Sequence, residues 1–430
     1  MGKEWNKYKK QVGVTMNRKK IVIVGGGFAG IQFIEHLDED LFEVLLIDKL
    51  NHHQFQPLFY QVATSQIEPS SISFPLRKIF QNRKNTQIRM TEVLSIEPDT
   101  NSISTTIGRF NYDYLVIATG CKTNFFGNRD IEKYAYGLKT TYDAIKIRNN
   151  ILQNFEDLLS VDESEKEYLL NIIIVGAGPT GVELAGAYAE IKKNILPKDF
   201  PLIDFKNLKI ILLEGGSHTL SNMSEMAQKT SEDYLKTLGV DVKTNVIVKN
   251  YDGKMVTLNN GECIKSKHVI WTAGVTGNII SGIDEKQIVN NRIKVDRYNL
   301  AQGYSNIYAV GDIAYMETPA YLKGHPQVAN VAINQAKNLA KNFKFLLQNK
   351  PLRQYEYTNM GVMATIGKNK AIVDLPFIKF KGYFAWLTWM FVHLMLILSV
   401  KNKLIIFINW ASSYFTNDSS LRLILKENNR

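Results

Sequence analysis

The feature that most constrains the fold is an apolar run that leads directly into closely spaced glycines, residues 21–30 (IVIVGGGFAG). A buried strand, a tight turn and a helix start are expected, because Gly25, Gly27 and Gly30 have the G-x-G-x-x-G spacing of a dinucleotide-binding turn. The phosphates would lie on the free amides at the positive end of the helix dipole. Asp48 closes the next apolar run, where a carboxylate would hold a ribose hydroxyl. Alone, the pattern also fits a glycine-rich turn beside a surface aspartate.

The same pattern returns 151 residues later, in residues 171–181 (NIIIVGAGPTG). Its spaced glycines are Gly176, Gly178 and Gly181. Glu214 closes the following apolar run and takes the position of the ribose-binding acid, although the 33-residue gap requires an insertion around residues 194–207. A carboxylate there repels a 2′-phosphate, which favours NADH over NADPH. Two fingerprints predict two dinucleotides and an α/β fold with two Rossmann-like domains.

Composition limits the class of protein. At 430 residues the chain can hold two or three domain cores. The net charge of +11 fits an anionic partner, but no nucleic-acid-binding motif is present, so we expect no nucleic acid partner. Cys121 and Cys263 lie far apart, which excludes a disulfide framework and a C-x-x-C redox motif. Residues 1–18 are polar and basic, which excludes a secretory signal peptide and predicts a solvated tail.

Three further apolar runs end in small or acidic residues, which suits strands that bring backbone close to a cofactor. They deliver Ala118, Thr119 and Gly120, then Ala273 and Gly274, and finally Gly311 and Asp312. Asp312 would either hold a polyol hydroxyl or cap the following helix. A helix is expected over residues 142–161 and strand structure over residues 352–366.

An aromatic and amide-rich segment, residues 51–64 (NHHQFQPLFYQVAT), is too irregular for a strand or an amphipathic helix and is interpreted as a lining loop. His52 and His53 have no third metal-ligand type nearby, so no metal site is expected.

The C-terminal part is more apolar, in residues 382–400 and 404–415. Its apolar length is at the lower edge of what spans a bilayer. The tryptophans, the tyrosines and the lysines between the two stretches favour helices that lie in the membrane interface. A span and a soluble dimer interface remain the alternatives, since each would cover exposed apolar area.

The order of several motifs resembles that of the type II NADH:quinone oxidoreductases, over about residues 21–415. The motifs are GGGFAGIQFIEHL, NHHQFQPLFYQVAT, ATGCKTNFFG, GAGPTGVELAGAYAE, WTAGV, AVGD and GYFAWLTWMFVHL. The resemblance implies FAD, bound noncovalently, in a discontinuous first domain, with NADH in the second. The implied FAD contacts are Gly25, Gly26, Gly27, Phe28, Ala29, Gly30, Asp48, Lys49, Val93, Ala118, Thr119, Gly120, Gly311 and Asp312. The implied NADH contacts are Gly176, Gly178, Pro179, Thr180, Gly181, Glu214, Ala273 and Gly274.

The resemblance also implies hydride transfer from NADH to FAD and two-electron reduction of a membrane quinone. Glu183 matches the family's acid after the second fingerprint and is expected to relay protons, unless it is an ordinary first-turn glutamate stabilised by the helix dipole. The family's quinone motif has glutamines where this chain has Asn330 and Asn334, so Gln335 is the expected quinone contact.

The implied domains are residues 19–125 and 291–345 for FAD and 165–290 for NADH. A sheet segment, 346–381, leads to a membrane-anchoring segment, 382–430. The expected location is peripheral, on the cytoplasmic face of the inner membrane, with contact to the bilayer through residues 382–415. No set of spans with buried ionisable residues is present, so proton pumping is not expected. A homodimer is a further expectation.

Four other functions are considered, and one sequence feature argues against each. A sulfide:quinone reductase needs catalytic cysteines, and a disulfide reductase needs a cysteine pair, for which Cys121 and Cys263 are poor candidates. A soluble ferredoxin- or rubredoxin-type reductase would leave the apolar C-terminal segment unexplained. A non-catalytic flavin-binding scaffold is the remaining alternative, and two intact fingerprints argue against it.

Overall fold

The computed structural model describes residues 18–419 and 421–425, so the predicted tail lies outside the described residues except for Arg18. The chain divides into two compact units. Of the described residues, the first contains 18–51, Leu76–Gly120 and Gly277–Tyr357, and the second contains His52–Pro75, Cys121–Thr276, 358–419 and 421–425. Residues 52–75 and 121–125, expected in the FAD-binding domain, belong to the second unit, and residues 277–290, expected in the NADH-binding domain, belong to the first.

The helices and strands follow one another in an α/β alternation. In the described residues the α-helices are α1 (Phe28–His36), α2 (Phe59–Ala63), α3 (Leu76–Ile79), α4 (Arg129–Tyr134), α5 (Thr141–Asp157), α6 (Glu163–Leu169), α7 (Pro179–Asn194), α8 (Leu196–Asp199), α9 (Glu225–Thr237), α10 (Ala329–Leu347), α11 (Tyr383–Leu396) and α12 (Val400–Thr416). The strands are β1 (Lys19–Val24), β2 (Phe42–Asp48), β3 (His52–Gln54), β4 (Ser73–Pro75), β5 (Thr86–Met90), β6 (Val93–Glu97), β7 (Ser102–Thr105), β8 (Gly108–Asn111), β9 (Tyr114–Ile117), β10 (Cys121–Thr123), β11 (Tyr136–Gly137), β12 (Asn171–Val175), β13 (Lys209–Leu213), β14 (Asp241–Lys243), β15 (Val248–Tyr251), β16 (Met255–Leu258), β17 (Cys263–Lys265), β18 (His268–Trp271), β19 (Val275–Gly277), β20 (Ile288–Val289), β21 (Arg292–Val295), β22 (Ile307–Ala309), β23 (Ala314–Met316), β24 (Val362–Thr365), β25 (Ala371–Asp374) and β26 (Lys379–Lys381).

The first unit is built on a parallel sheet in the order β22-β9-β1-β2-β5. Its central strands are apolar at almost every position, because both faces of a parallel sheet are covered. On one face α1 and α10 pack through Phe33 and Phe343, whose ring centroids lie 5.4 Å apart. The other face packs against β7, β21 and β23. The carboxyl ends of β1, β2 and β9 therefore meet at one edge of the sheet.

The second unit repeats this architecture with a parallel sheet in the order β11-β18-β12-β13-β14. Strand β12 is buried at all five positions. An antiparallel sheet, β15-β16-β17, completes a core around Tyr251 and Trp271. The expected α/β fold with parallel sheets is thus confirmed.

Two expected elements have different limits. Helix α5 begins at Thr141, where Thr140 and Asp143 form a capping box, and ends at Asp157. A separate helix, α6, begins at Glu163. The strand expected from residue 352 begins only at Val362. Between residues 352 and 361 only Tyr355 is buried, so this stretch has no apolar face to pack as a strand.

The C-terminal part of the second unit is an antiparallel sheet, β24-β25-β26, followed by α11 and α12. These helices have 14 and 17 residues. Among the described residues, no helix has the length and apolar content needed to cross a membrane. Trp389 and Trp410 are buried, whereas Phe391 and Phe407 are exposed, so each helix has one covered and one uncovered apolar side.

Candidate functional site

The first glycine turn follows β1 in the first unit. Gly25 has a positive φ of 111°, and a Cβ there would lie 2.3 Å from the carbonyl oxygen of Ala118, so only glycine fits between β1 and the end of β9. A Cβ on Gly30 would lie 1.9 Å from the carbonyl oxygen of Gly25. A Cβ on Gly27, in contrast, would meet no atom within 4 Å. The turn is therefore closely packed at Gly25 and Gly30, whereas the space next to Gly27, at the amino end of α1, is open.

Asp48, at the end of β2, is bound to this turn. Its Oδ2 accepts a hydrogen bond from the Gly26 amide at 2.5 Å, and its Oδ1 accepts one from the Leu50 amide at 2.7 Å. The carboxylate is thus held at the edge of the open region. Phe28 and Ala29 form the first turn of α1, and Ala29 is buried.

The other FAD contacts expected in the first unit lie at strand ends. Thr119 follows β9 and donates through Oγ1 to the carbonyl oxygen of Asn278 at 2.7 Å. Gly311 and Asp312 form a 3-10 turn directly after β22. Val93 begins β6 and is half-buried, whereas Lys49 forms an exposed ion pair with Glu92. The parallel sheet thus explains the positions of Thr119, Gly311 and Asp312, but it provides no direct support for Lys49 as a cofactor contact.

The second glycine turn, in the second unit, has the same construction. Gly176 has a φ of 99°, and a Cβ there would lie 2.6 Å from Cα of Ala273. A Cβ on Gly181 would lie 1.9 Å from the carbonyl oxygen of Gly176, whereas one on Gly178 would meet nothing within 4 Å. Pro179 and Thr180 begin α7, so the amino end of this helix follows directly after the open position at Gly178. Its positive end suits a diphosphate.

Glu214 is the counterpart of Asp48. Its Oε2 accepts from the Ala177 amide and its Oε1 from the Gly216 amide, each at 2.7 Å. The expected insertion is occupied by α8 and a 3-10 turn, Phe205–Asn207. Gly274 has a φ of 130° and follows β18, as the sequence suggests.

Glu183 lies on α7, one turn after Pro179, and is buried. Burial raises the pKa of its carboxyl group to about 8, because a charged carboxylate would lose most of its hydration. The Thr365 amide, 3.4 Å from Oε1, opposes this shift but is a smaller effect than burial. The indole N–H of Trp389 faces the same carboxyl group and also favours its ionised form, without reaching hydrogen-bond geometry. At neutral pH Glu183 therefore carries its proton.

Glu183 lines a cavity of about 160 Å³ within the second unit, here called the inner cavity. Its other walls include Pro57, Tyr60, Pro179, Thr180 and His393. The expected lining loop thus does line a cavity, although it folds as β3, a 3-10 turn and α2. Burial lowers the pKa of His393, so this imidazole is neutral beside the acid.

The expected quinone contact, Gln335, lies in the first unit on α10, together with the two asparagines that replace the family's glutamines. Gln335 is fully buried, and its Oε1 accepts from the Gly311 amide at 2.8 Å. Its Nε2 has no acceptor among the described residues, nor has Nδ2 of Asn330. Asn334 is exposed and donates to the carbonyl oxygen of Asn330 at 2.9 Å. Gln335 and Asn330 thus each retain one donor for a bound group, whereas Asn334 is engaged within its own helix.

Sequence reasoning missed the aromatic surroundings of Glu183. Tyr60, Trp389 and His393 are separated from it by more than a hundred residues, and no local pattern links them. Trp389 and His393 stack with ring centroids 4.0 Å apart. The available signals were the aromatic content of residues 51–64 and, far away in sequence, the tryptophans of residues 382–415.

Comparison with known proteins agrees with this geometry. The sequence model of the pyridine nucleotide-disulphide oxidoreductase family matches residues 19–336, and that of the NDH2 C-terminal domain matches residues 359–417. The type II NADH:quinone oxidoreductase NdhA of Mycobacterium tuberculosis is 31% identical over 413 residues, which cover 92% of this chain and 87% of that protein. A probable NADH dehydrogenase of Dictyostelium discoideum is 30% identical over 93% of this chain and 90% of its own length.

Solved structures show the same fold. NDH2 from Plasmodium falciparum in complex with NADH superposes with a TM-score of 0.88 at 23% identity, over 95% of this chain and all of that one. The sulfide:quinone oxidoreductase of Aquifex aeolicus gives 0.71 at 21% identity, over 95% of this chain and 96% of its own. At these identities the structures establish the fold, and the sequence relatives establish the family. The chain belongs to the type II NADH:quinone oxidoreductases, within the pyridine nucleotide-disulphide oxidoreductase family.

Proposed function

We propose that this chain oxidises NADH and reduces a membrane quinone, without pumping protons. The observation that carries the proposal is that each unit has its own glycine turn, open above the middle glycine and held by a carboxylate at the next strand end. Two such turns suit two dinucleotides. Bound FAD supplies the chemistry that takes a hydride from NADH and passes two electrons to quinone.

The residues of both turns fit these groups. The open space next to Gly27 and Gly178 has room for a pyrophosphate, and a side chain at either position would fill that space. Asp48 would hold the ribose of FAD and Glu214 that of NADH. Because Glu214 is already fixed by two backbone amides, its negative charge stays where a 2′-phosphate would lie, which favours NADH over NADPH. Gln335 Nε2 and Asn330 Nδ2 would donate to a bound flavin or quinone.

The net reaction requires a proton as well as electrons. NADH and quinone give NAD⁺ and quinol only if one proton is added, since the hydride carries a single hydrogen. Glu183 is a carboxyl group that is protonated at neutral pH and lines the inner cavity beside Pro179 and Thr180. It would donate its proton to a quinone oxygen and recover one afterwards.

The enzyme would dock on a bilayer through α11, α12 and the β25–β26 hairpin. Phe377 at the hairpin tip is fully exposed, and Phe391 and Phe407 present apolar surface from the two helices. Lys401 and Lys403, at the start of α12, suit anionic headgroups. Such helices lie in the interface rather than across it. We place this surface on the cytoplasmic face of the inner membrane, and we expect the enzyme to form a homodimer.

The test separates the two half-reactions under anaerobic conditions. NADH should bleach the flavin absorbance of the purified protein, NADPH should do so much more slowly, and a short-chain quinone should restore the spectrum. A flavin that NADH leaves unchanged would identify a non-catalytic scaffold. A flavin that bleaches and is restored only by a protein acceptor such as ferredoxin would contradict quinone as the substrate.

Membrane docking has its own test. Replacing Phe391 and Phe407 together by serine should reduce co-flotation with anionic liposomes at least tenfold, because each buried phenyl group contributes roughly 2 kcal/mol to the transfer. Flavin reduction by NADH should remain unchanged. Wild-type co-flotation of the double variant would contradict docking by this surface.

A further inference from the structure

A second cavity, of about 110 Å³, adjoins Glu183 within the second unit and is here called the outer cavity. It is lined by α2, α7, the β24–β25 turn and both C-terminal helices, and it reaches Tyr414 and Asn417 at the end of α12. Its volume and its many polar groups allow it to hold several water molecules.

Tyr60 and Glu183 line both cavities, so they lie where the two cavities adjoin. The Tyr60 hydroxyl oxygen accepts from Gln61 Nε2 at 3.0 Å, and Gln61 Oε1 accepts from Trp410 Nε1 at 2.8 Å. These contacts hold the phenol in place. No hydrogen bond donated by the hydroxyl is found in the part of the chain that the structure describes, so its proton is available to water in either cavity.

Glu190 lies on the same face of α7 as Glu183, two turns further on, and lines the outer cavity. Seven residues of helix separate the two carboxyl groups by roughly 10 Å along the axis. Tyr60 lines the outer cavity together with both acids. Burial raises the pKa of its phenol well above the usual range, and the two carboxylates add to this effect. The hydroxyl therefore stays protonated and can pass a proton on without becoming ionised.

The surroundings of Glu190 differ from those of Glu183. Its Oε1 accepts from the Lys368 amide at 2.5 Å, and Lys368 Nζ bonds the Tyr414 carbonyl oxygen and Asn417 Oδ1 at the end of α12. Burial raises the pKa of Glu190, and the nearby ammonium groups reduce this effect. The titratable groups that face it are Lys193 on its own helix, Lys368 and Lys370 on the β24–β25 turn, Tyr60 on α2, and Glu183.

We propose that Glu190, the Tyr60 hydroxyl and water in the outer cavity form the path that returns a proton to Glu183 after each quinone reduction. This inference rests on the proposed function and adds the source of the proton. The hydride of NADH provides two electrons and one hydrogen, and the second hydrogen of quinol comes from solvent through Glu190 and then Glu183. Glu190 does not touch the substrate and acts only through Glu183.

The test compares Glu190→Gln with the wild-type holoenzyme. Glutamine keeps the size and the acceptor for the Lys368 amide but loses the titratable proton. We expect flavin reduction by NADH within twofold of wild type, flavin reoxidation by a short-chain quinone slowed at least tenfold, and a larger solvent deuterium isotope effect on that step. The quinone KM should stay within twofold. Glu190→Asp should restore most of the rate.

Glu156→Gln is the matched control, because Glu156 is an exposed glutamate on α5, remote in sequence from the path. An unchanged reoxidation rate and isotope effect in Glu190→Gln would overturn the proposal. If that variant fails to retain flavin, Tyr60→Phe decides by the same two measurements, since it removes only the hydroxyl. Failure of the proposed function is distinct, because the wild-type flavin itself would then not be reoxidised by quinone.

Discussion

Replacing Glu183 by glutamine should make the protein more stable, increasingly so as the pH rises. Burial raises the pKa of this carboxyl from 4.5 to about 8 in the folded protein. Between these pH values the folded state binds one more proton than the unfolded state, so the free energy of unfolding falls as pH rises. Glutamine has a similar shape but no proton to bind. The wild type alone therefore carries this dependence.

The size of the effect follows from the shift. Each pH unit is equivalent to about 1.4 kcal/mol, so at pH 7 the cost of keeping Glu183 protonated is on the order of 3 kcal/mol. If the whole chain unfolds together, its unfolding entropy converts this into roughly 4 °C in Tm. The difference between Glu183→Gln and wild type should be near zero at pH 4.5 and should level off above pH 8.

Thermal unfolding of both proteins, followed at several pH values between 5 and 8.5, measures this difference directly. Glu156→Gln, at an exposed position on α5, provides the control and should follow the wild type throughout. Parallel Tm curves for Glu183→Gln and wild type would refute the reasoning, because they would mean that Glu183 is ionised in the folded protein at neutral pH. A donor role at that pH would then be untenable.

Three further predictions concern other parts of the chain. Glu214→Ala should raise the KM for NADH about tenfold and reduce the preference over NADPH, as measured by the ratio of kcat/KM values, and an unchanged ratio would contradict the ribose role. Gly30→Ala should lose flavin, because its Cβ would lie 1.9 Å from the Gly25 carbonyl oxygen, whereas Gly27→Ala should fold normally and bind FAD more weakly in a spectroscopic titration. Equal flavin content in the two would argue against the close approach of Gly30 to Gly25. Phe377→Ser should weaken liposome binding about tenfold with unchanged activity toward a water-soluble quinone, and full binding would show that the hairpin tip stays out of the bilayer.

The features of the fold and of the site that could be predicted from the sequence are those that depend on short local motifs. Both glycine turns and the acids Asp48 and Glu214 lie where a strand–turn–helix unit must put them, because parallel strands end at one edge of their sheet. The same rule explains why Thr119 and Gly311, far apart in sequence, both lie at strand ends of the first unit.

The remainder depended on contacts between distant segments. Tyr60 reaches Glu183 through the packing of α2 against α7, and Trp389 reaches it through a C-terminal helix, so neither contact has a local signature. The sequence suggested apolar C-terminal stretches, but the burial of Trp389 and the exposure of Phe391 depend on which side of α11 packs against the sheet. Apolar spacing also does not define where an element ends: α5 ends at Asp157 instead of residue 161, and β24 begins at Val362 instead of residue 352.

Because Glu183 lines both the inner and the outer cavity, the enzyme should be open to two kinds of inhibitor. A compound that fills the inner cavity would compete with whatever approaches Glu183 from that side. A compound that fills the outer cavity would leave that approach open and would instead interrupt proton supply. It should lower kcat with little change in quinone KM, and its effect should weaken as the pH falls and protons become plentiful. One carboxyl group thus gives the enzyme two kinetically distinguishable targets.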